Sequence, residues 1–168
     1  MKKHLFLAVV FALMASVIAS TVYAGPGGMD MYSETNKLNS VAQVLGSISI
    51  RLESMALDQM SNPDPSGVAN RLEAMGTELQ VCYNRVDNVI ITLPAPNLIP
   101  DNTLAALTMV YCESEGISSI ADGFSYPPDP VYDPVRIARD SLIGYAGGIM
   151  NRLCIWVSHR TPSTANDT

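Results

Sequence analysis

Lysine, histidine and tryptophan are scarce in this sequence. Among its 168 residues are three lysines, two histidines and one tryptophan, and beyond residue 24 only Lys37 and His159 remain of the first two types. Residues 25–168 therefore carry eight basic against sixteen acidic side chains, a net charge of −8. Such a chain is repelled by the phosphates of nucleic acid and by anionic lipid surfaces, so neither is a predicted partner.

Catalytic motifs are also missing. A single histidine, followed by Arg160 and a polar tail, gives no basis for assembling a Ser-His-Asp triad. The helical carboxylates Glu73, Glu78, Glu113 and Glu115 stand in no Glu-x-x-His arrangement of the kind used by di-metal bundles. The sequence predicts that this protein is not an enzyme.

Long hydrophobic runs are absent except at the N-terminus. There Lys2 and Lys3 precede an apolar run from Leu5 to Ile18, and the small-residue pattern 22–24 follows. This order is typical of a secretory signal peptide, and the run is shorter than the roughly 20 residues of a membrane span. We expect cleavage after Ala24, with no cysteine next to it for lipid attachment. The predicted destination is the periplasm or the exterior, with no membrane span after cleavage.

Apolar residues recur in alternating steps of three and four along four stretches, a pattern that predicts amphipathic α-helices. Asp64-Pro65, Asp101 and Asp133-Pro134 are predicted to start the second, third and fourth helices, and Ser33 to cap the first. The predicted core stripes are Leu38, Val41, Leu45, Ile48, Leu52 and Met55; Val68, Leu72, Met75, Leu79, Cys82, Val86, Val89 and Leu93; Leu107, Val110, Ile117, Ala121 and Phe124; and Val135, Ala138, Leu142, Tyr145, Ile149, Leu153 and Trp156.

The fold class expected from this pattern is all-α. We predict an antiparallel four-helix bundle over residues 33–160, with up-down-up-down topology and coiled-coil-like packing. A signal peptide (1–24) and a flexible mature N-terminus (25–32) precede it, and a disordered tail (161–168) follows.

Three cysteines lie beyond the predicted cleavage site, and an oxidising compartment favours one disulfide and one spare thiol. Cys82 and Cys112 each lie eleven residues from the turn that joins the second and third helices, which makes them level if those helices are neighbours. We predict the bridge Cys82–Cys112. Cys154 is then the free thiol, expected to be a small core residue, with an intermolecular disulfide and a homodimer as the alternative.

Glycines and tyrosines mark the surfaces on which a partner could dock. Gly144 and Gly148, four residues apart in the fourth helix, would let another helix approach closely, either within the bundle or from a partner. Tyr126 and Tyr132 belong to a proline-rich connection, which is either a stiff strap across the bundle end or an exposed recognition segment; the strap is favoured.

Methionine and histidine suggest a weaker, second type of site. In an up-down bundle the start of the first helix and the end of the fourth share one end, so Met29 or Met31 could meet His159. Such a pair resembles the haem ligation of small periplasmic b-type bundle cytochromes, and the Met-x-Met pair could also bind Cu(I). The sequence holds no Cys-x-x-Cys-His signal, which excludes c-type haem.

The expected function follows from these features. The leading interpretation is an exported, non-enzymatic bundle without a cofactor that acts through contacts with an unknown protein partner. It would serve as an envelope accessory, an inhibitor or immunity protein, or a secretion-apparatus component. The alternative is a periplasmic bundle that binds a small molecule or a cofactor, either b-type haem or copper.

Overall fold

A computed structural model describes residues 31–59, 64–124 and 126–160, without the side chains of 58, 59, 159 and 160. This part of the chain is all-helical, with four α-helices and no strand. The helices are α1 (Tyr32–Gln59), α2 (Pro65–Ile90), α3 (Asp101–Asp122) and α4 (Asp133–Arg160), with short 3-10 turns at Pro96–Leu98 and Pro130–Tyr132. The predicted signal peptide, residues 25–30 and the predicted tail 161–168 lie outside the described residues.

The helix starts follow the sequence closely but not everywhere. Asp64 caps α2 as predicted: its carboxylate accepts a hydrogen bond from the Gly67 amide at 3.1 Å, and Pro65 occupies the first turn. Asp101 is instead the first residue of α3. Its negative charge there interacts favourably with the helix dipole, but its side chain accepts no capping hydrogen bond. Helix α1 begins at Tyr32, so Ser33 lies inside the helix instead of capping it.

The four apolar stripes meet in one core. Every predicted stripe residue is buried except Tyr145, which is half-buried. Small and polar residues that the stripes omit complete the core of α3 and α4: Thr103, Ser114 and Ala146 are each fully buried. Burial of these stripes is the main source of helix stability here, because in folded proteins the packing of an amphipathic face contributes more than intrinsic helix propensity.

The spatial order of the helices differs from the predicted order. Helix α1 packs against α2 and α3, and α4 packs against α2 and α3, whereas α2 and α3 share almost no contact. The prediction that each helix lies beside the next one along the chain therefore holds for α1 with α2 and for α3 with α4, but α2 and α3 occupy diagonal corners.

Cross-helix contacts give the direction of the packed pairs. Near the start of both helices, Thr35 of α1 and Thr103 of α3 share a buried hydroxyl hydrogen bond of 2.7 Å, so these two helices run in parallel. The ring of Tyr83 in α2 covers Gly148 in α4, and one turn further along both helices Asp87 pairs with Arg152 at 3.0 Å. Helices α2 and α4 are parallel as well. The connection 91–100 must consequently cross the bundle end from α2 to the diagonal corner.

The connection between α3 and α4 is tied to the start of α4. Arg136 donates a hydrogen bond to the carbonyl of Pro127 at 3.0 Å, and Arg139 donates to the carbonyl of Phe124 at 2.8 Å. Tyr126 and Tyr132 stack on each other with ring centroids 5.2 Å apart. These contacts hold the two ends of the segment near the start of α4, while residues 127–131 are exposed. None of the described helices is long and apolar enough to cross a membrane.

Candidate functional site

One stripe of exposed residues on the outward side of α1 carries no charge. Its members recur in alternating steps of three and four, opposite the core stripe, and the exposed charges of Lys37 and Glu53 lie outside it. Ile50 and Leu57, at the C-terminal end, expose 66% and 70% of their surface. The members of this outer stripe are Ser33, Asn36, Ser40, Gln43, Ser47, Ile50, Ser54 and Leu57.

A groove lies beside the outer stripe, between α1 and α3. Its volume is about 420 Å³, and its surface is mainly apolar. Three residues of the outer stripe contribute to one wall, and α3 supplies Met109 and Glu113. The complete lining is Ala42, Gln43, Gly46, Ser47, Ile50, Arg51, Met109 and Glu113.

Glu113 is the charged group on the α3 side of this groove. Its carboxylate lies over Gly46, where a Cβ would be 3.7 Å from the carboxylate carbon and both oxygens. The Ser49 hydroxyl donates to it over a long 3.4 Å, a weak hydrogen bond. Burial raises the pKa of Glu113; the bond from Ser49 opposes this rise, and the negative charge of Glu53 adds to it.

The guanidinium group of Arg51, which lines the same groove, is paired with a carboxylate of α2. Arg51 donates two hydrogen bonds to the Glu78 carboxylate of α2, at 2.9 and 2.5 Å. This bidentate pair lowers the pKa of Glu78 and raises that of Arg51, chiefly through the hydrogen bonds. Among the described residues no lysine or arginine forms an ion pair with Glu113.

On its other side, the outer stripe borders a polar groove between α1 and α2. This second groove has a volume of about 590 Å³ and contains Lys37 and Arg85. Lys37 is 3.5 Å from Glu34, one turn earlier in α1. Asn36, Ser40, Asn88, Val89 and Thr92 complete its lining. The outer stripe thus runs between a groove lined by Lys37 and Arg85 and a groove lined by Glu113 and the paired Arg51.

The cysteines do not come together. All three are free thiols in the structure: Cys82 is buried, whereas Cys112 and Cys154 are exposed. The predicted bridge Cys82–Cys112 requires α2 and α3 to be neighbours. In the structure these two helices lie at diagonal corners, so this condition is not met. Burial raises the pKa of Cys82, and burial together with Glu115 and Glu113 raises that of Cys112. The expectation that Cys154 is a core residue is wrong, because it lies on the outer side of α4.

The two glycines of the predicted partner face, Gly144 and Gly148, lie in different environments. A Cβ on Gly148 would approach the Tyr83 ring to 3.0 Å, so this glycine serves packing within the bundle. Gly144 and Gly147 have open space where a Cβ would stand. The other predicted face, Tyr126 with Tyr132, lies at the α3–α4 connection.

The predicted haem or copper site falls largely outside the described residues. Met29 lies outside them, as does the side chain of His159. Met31 is buried, and its carbonyl accepts a hydrogen bond from the Thr35 hydroxyl at 2.9 Å. Within the part of the chain that the structure describes, no three histidine, cysteine or acidic side chains are placed to bind a metal.

Comparison of the chain with protein-family models, with curated proteins and with solved structures found no match. The residues themselves are therefore the basis for assigning a function.

The apolar pattern of the sequence did not identify the outer stripe or the half-buried position of Glu113. The stripe has a signal in the sequence, since its three-four repeat is as regular as that of the core stripe and only its polarity conceals it. Glu113 has no such signal. It resembles the other helical carboxylates until the packing of α1 on α3 buries it.

Proposed function

We propose that this protein is exported to the periplasm or the exterior and acts there, without catalysis, by binding another protein through the outer stripe of α1. The single observation that supports the proposal is the uncharged outer stripe on a helix of 28 residues. The roles that fit are those of an envelope accessory, an inhibitor or immunity protein, and a secretion-apparatus component.

The stripe suits a helical partner. Positions spaced by three and four residues form a straight seam along a helix, the spacing by which two helices pack side by side. The small serine side chains allow close approach at the N-terminal part, asparagine and glutamine offer hydrogen-bond donors and acceptors, and Ile50 with Leu57 supply apolar area at the other end. Charged side chains, which are costly to desolvate at the centre of an interface, are absent from the seam.

Export is supported by the N-terminal pattern of Lys2, Lys3, the apolar run and Ala24. Intact mass of the protein recovered from the producing cells tests it. A chain that begins at Gly25, found in the envelope or medium fraction, is the expected result. A retained leader in the cytoplasmic fraction would contradict the localisation.

Photo-crosslinking tests the binding face. A photoreactive amino acid replaces Ile50 in the outer stripe, and in a matched control it replaces Thr77, an exposed position on α2. We expect one defined adduct from position 50 and none from position 77, with mass spectrometry identifying the bound chain; a second copy of this protein would count as the partner. Equal labelling from both positions, or none from either, would contradict the proposed function.

A further inference from the structure

We infer that the groove between α1 and α3 binds a lysine or arginine side chain of the partner protein, with Glu113 as its counter-charge. This inference rests on the proposed function, since the groove adjoins the outer stripe and shares Gln43, Ser47 and Ile50 with it. It adds the chemistry of the partner, which must present a cation next to its contact with α1.

The geometry of Glu113 is that of a receptor for a cation. Glycine at position 46 leaves open the space next to the carboxylate, because a Cβ there would lie 3.7 Å from the carboxylate carbon and from both oxygens. Ser49 satisfies one oxygen only weakly, at 3.4 Å. The carboxylate is half-buried, so burial costs it hydration without a compensating ion pair. An incoming ammonium or guanidinium group would supply that compensation.

The basic side chain in the lining of this groove, Arg51, is not paired with Glu113. Arg51 lines the groove, yet both of its terminal nitrogens donate to Glu78 on α2. The Arg51–Glu78 pair therefore neutralises the only described basic side chain in the lining and leaves Glu113 as its net charge.

The remaining lining suits the stem of a long basic side chain. Ala42, Ile50 and Met109 give the groove its apolar surface, and lysine and arginine bury their methylene groups on such surfaces while the charged head reaches a polar partner. A volume of about 420 Å³ accommodates a side chain of that size. Glu113 repels a ligand that presents a carboxylate, and a purely apolar side chain would leave Glu113 unpaired.

Titration of the full mature chain, followed by amide NMR shifts, tests the inference without a known partner. The probe is N-acetyl-arginine methylamide, and the matched uncharged probe is N-acetyl-norleucine methylamide. We expect the arginine probe to shift amides of residues 42–51 and 109–113 in a saturable way, and the norleucine probe to bind at least tenfold more weakly.

Three variants locate the effect. Glu113→Gln keeps the size of the side chain and should weaken arginine-probe binding at least tenfold, whereas the exposed control Glu115→Gln on the same helix should leave it unchanged. Gly46→Leu should also abolish binding, because it fills the groove while keeping the charge of Glu113 and raising helix propensity. Thermal unfolding of each variant establishes that it is folded.

Equal binding of the two probes, equal effects of Glu113→Gln and Glu115→Gln, or shifts confined to residues outside the groove would each overturn the inference. These failures are separate from a failure of the proposed function. A partner crosslinked at position 50 together with an inert groove refutes only the groove assignment. Arginine-probe binding without any crosslinked partner refutes the protein-contact function, and would assign the groove to small free amines instead.

Discussion

At the scale of single residues, two glycines of α4 with the same predicted role lie in different environments. Gly148 lies under the Tyr83 ring, which the Tyr145 ring also contacts at a centroid distance of 6.4 Å, whereas Gly144 is open. The spacing of four residues that pairs them in the sequence does not distinguish a packing contact from an open surface. Only the neighbouring helix does so.

Alanine substitution should separate these two glycines. Gly144→Ala should stabilise the protein by about 0.5–1 kcal/mol, since alanine restricts the unfolded chain and meets open space. Gly148→Ala should destabilise it by roughly 1 kcal/mol, because its Cβ would crowd the Tyr83 ring by more than the helix-propensity gain offsets. Urea unfolding followed by circular dichroism measures both. Stabilisation of the same size by the two substitutions would show that the Tyr83 ring yields freely.

Glu113 should make stability depend on pH. Folding raises the pKa of its carboxyl, so between the unfolded and folded pKa values the folded chain binds more protons than the unfolded chain. The contribution of this group to the free energy of unfolding therefore falls as pH rises through that window, and stays low above it. Glu113→Gln should consequently raise the unfolding temperature at pH 7 relative to the parent protein.

The difference should disappear below the unfolded pKa, near pH 4, where the parent carboxyl is also protonated. Thermal unfolding of both proteins from pH 3.5 to 8, with Glu115→Gln as the matched exposed control, measures the effect. A Glu113→Gln variant that is less stable than the parent at pH 7 would contradict the assignment of an unpaired, desolvated carboxylate.

Trp156 is the single tryptophan of the chain, and it is buried with an indole N–H that has no hydrogen-bond partner among the described residues. An unmet buried donor costs about 1–3 kcal/mol. Trp156→Phe removes the donor and part of the ring, so we expect a loss below about 1 kcal/mol, whereas Trp156→Ala should lose about 3–5 kcal/mol. Circular dichroism in urea measures both. A loss of about 2 kcal/mol or more for Trp156→Phe would show that the indole N–H is hydrogen-bonded in solution.

At the scale of elements, the helix starts show how far local sequence determines structure. Asp64 and Asp101 stand at predicted helix starts with similar appearance, yet only Asp64 binds a backbone amide. Asp64 precedes Pro65, which favours an extended residue before the first turn and so places the carboxylate outside the helix. Asp101 follows Pro100, and the helix begins at the aspartate itself.

Removing these carboxylates should therefore have unequal effects. Asp64→Ala should cost about 1 kcal/mol through the lost cap, and Asp101→Ala roughly 0.3–0.5 kcal/mol, since it loses only the interaction with the helix dipole. Urea unfolding at low salt gives both values. A larger loss at Asp101 would indicate that its side chain caps α3 in solution.

Helix α1 shows what the sequence could have revealed at this scale. Its core stripe and its outer stripe repeat with the same three-four period on opposite sides of the helix, so both can be identified from the amino-acid sequence. Apolar periodicity identifies only the first, because a stripe of serine, asparagine and glutamine is indistinguishable from ordinary solvated surface unless its lack of charge is noticed.

At the scale of the whole molecule, the order of the helices decides the cysteine chemistry. The position of a residue along the bundle axis follows from the number of residues that separate it from the turn, and this count places Cys82 and Cys112 at the same level. Which helices lie side by side does not follow from such a count. With α2 and α3 on a diagonal, the core separates the two thiols, and a bridge between them would need the bundle to be repacked.

Thiol alkylation of the native protein tests this order. We expect Cys154 to react readily because it is exposed, and Cys112 to react more slowly because burial and the two neighbouring glutamates raise its pKa. Cys82 should react only after unfolding, because it is 1% exposed and burial raises its pKa. Intact mass should then show three alkylated cysteines in denaturant without prior reduction. A native mass lighter by two hydrogens, with Cys82 and Cys112 joined, would require α2 and α3 to be neighbours and would refute the diagonal arrangement.

The helical class, the positions of the four helices and most of the core follow from the sequence alone, because apolar periodicity and Asp-Pro starts act through local geometry and burial. The tertiary structure decided which helices touch. Four similar apolar stripes can pair in more than one order, and the choice depends on the fit of specific side chains, such as Tyr83 over Gly148 and Thr35 against Thr103. That choice also made Glu113 a half-buried carboxylate beside α1, which no pattern within α3 encodes.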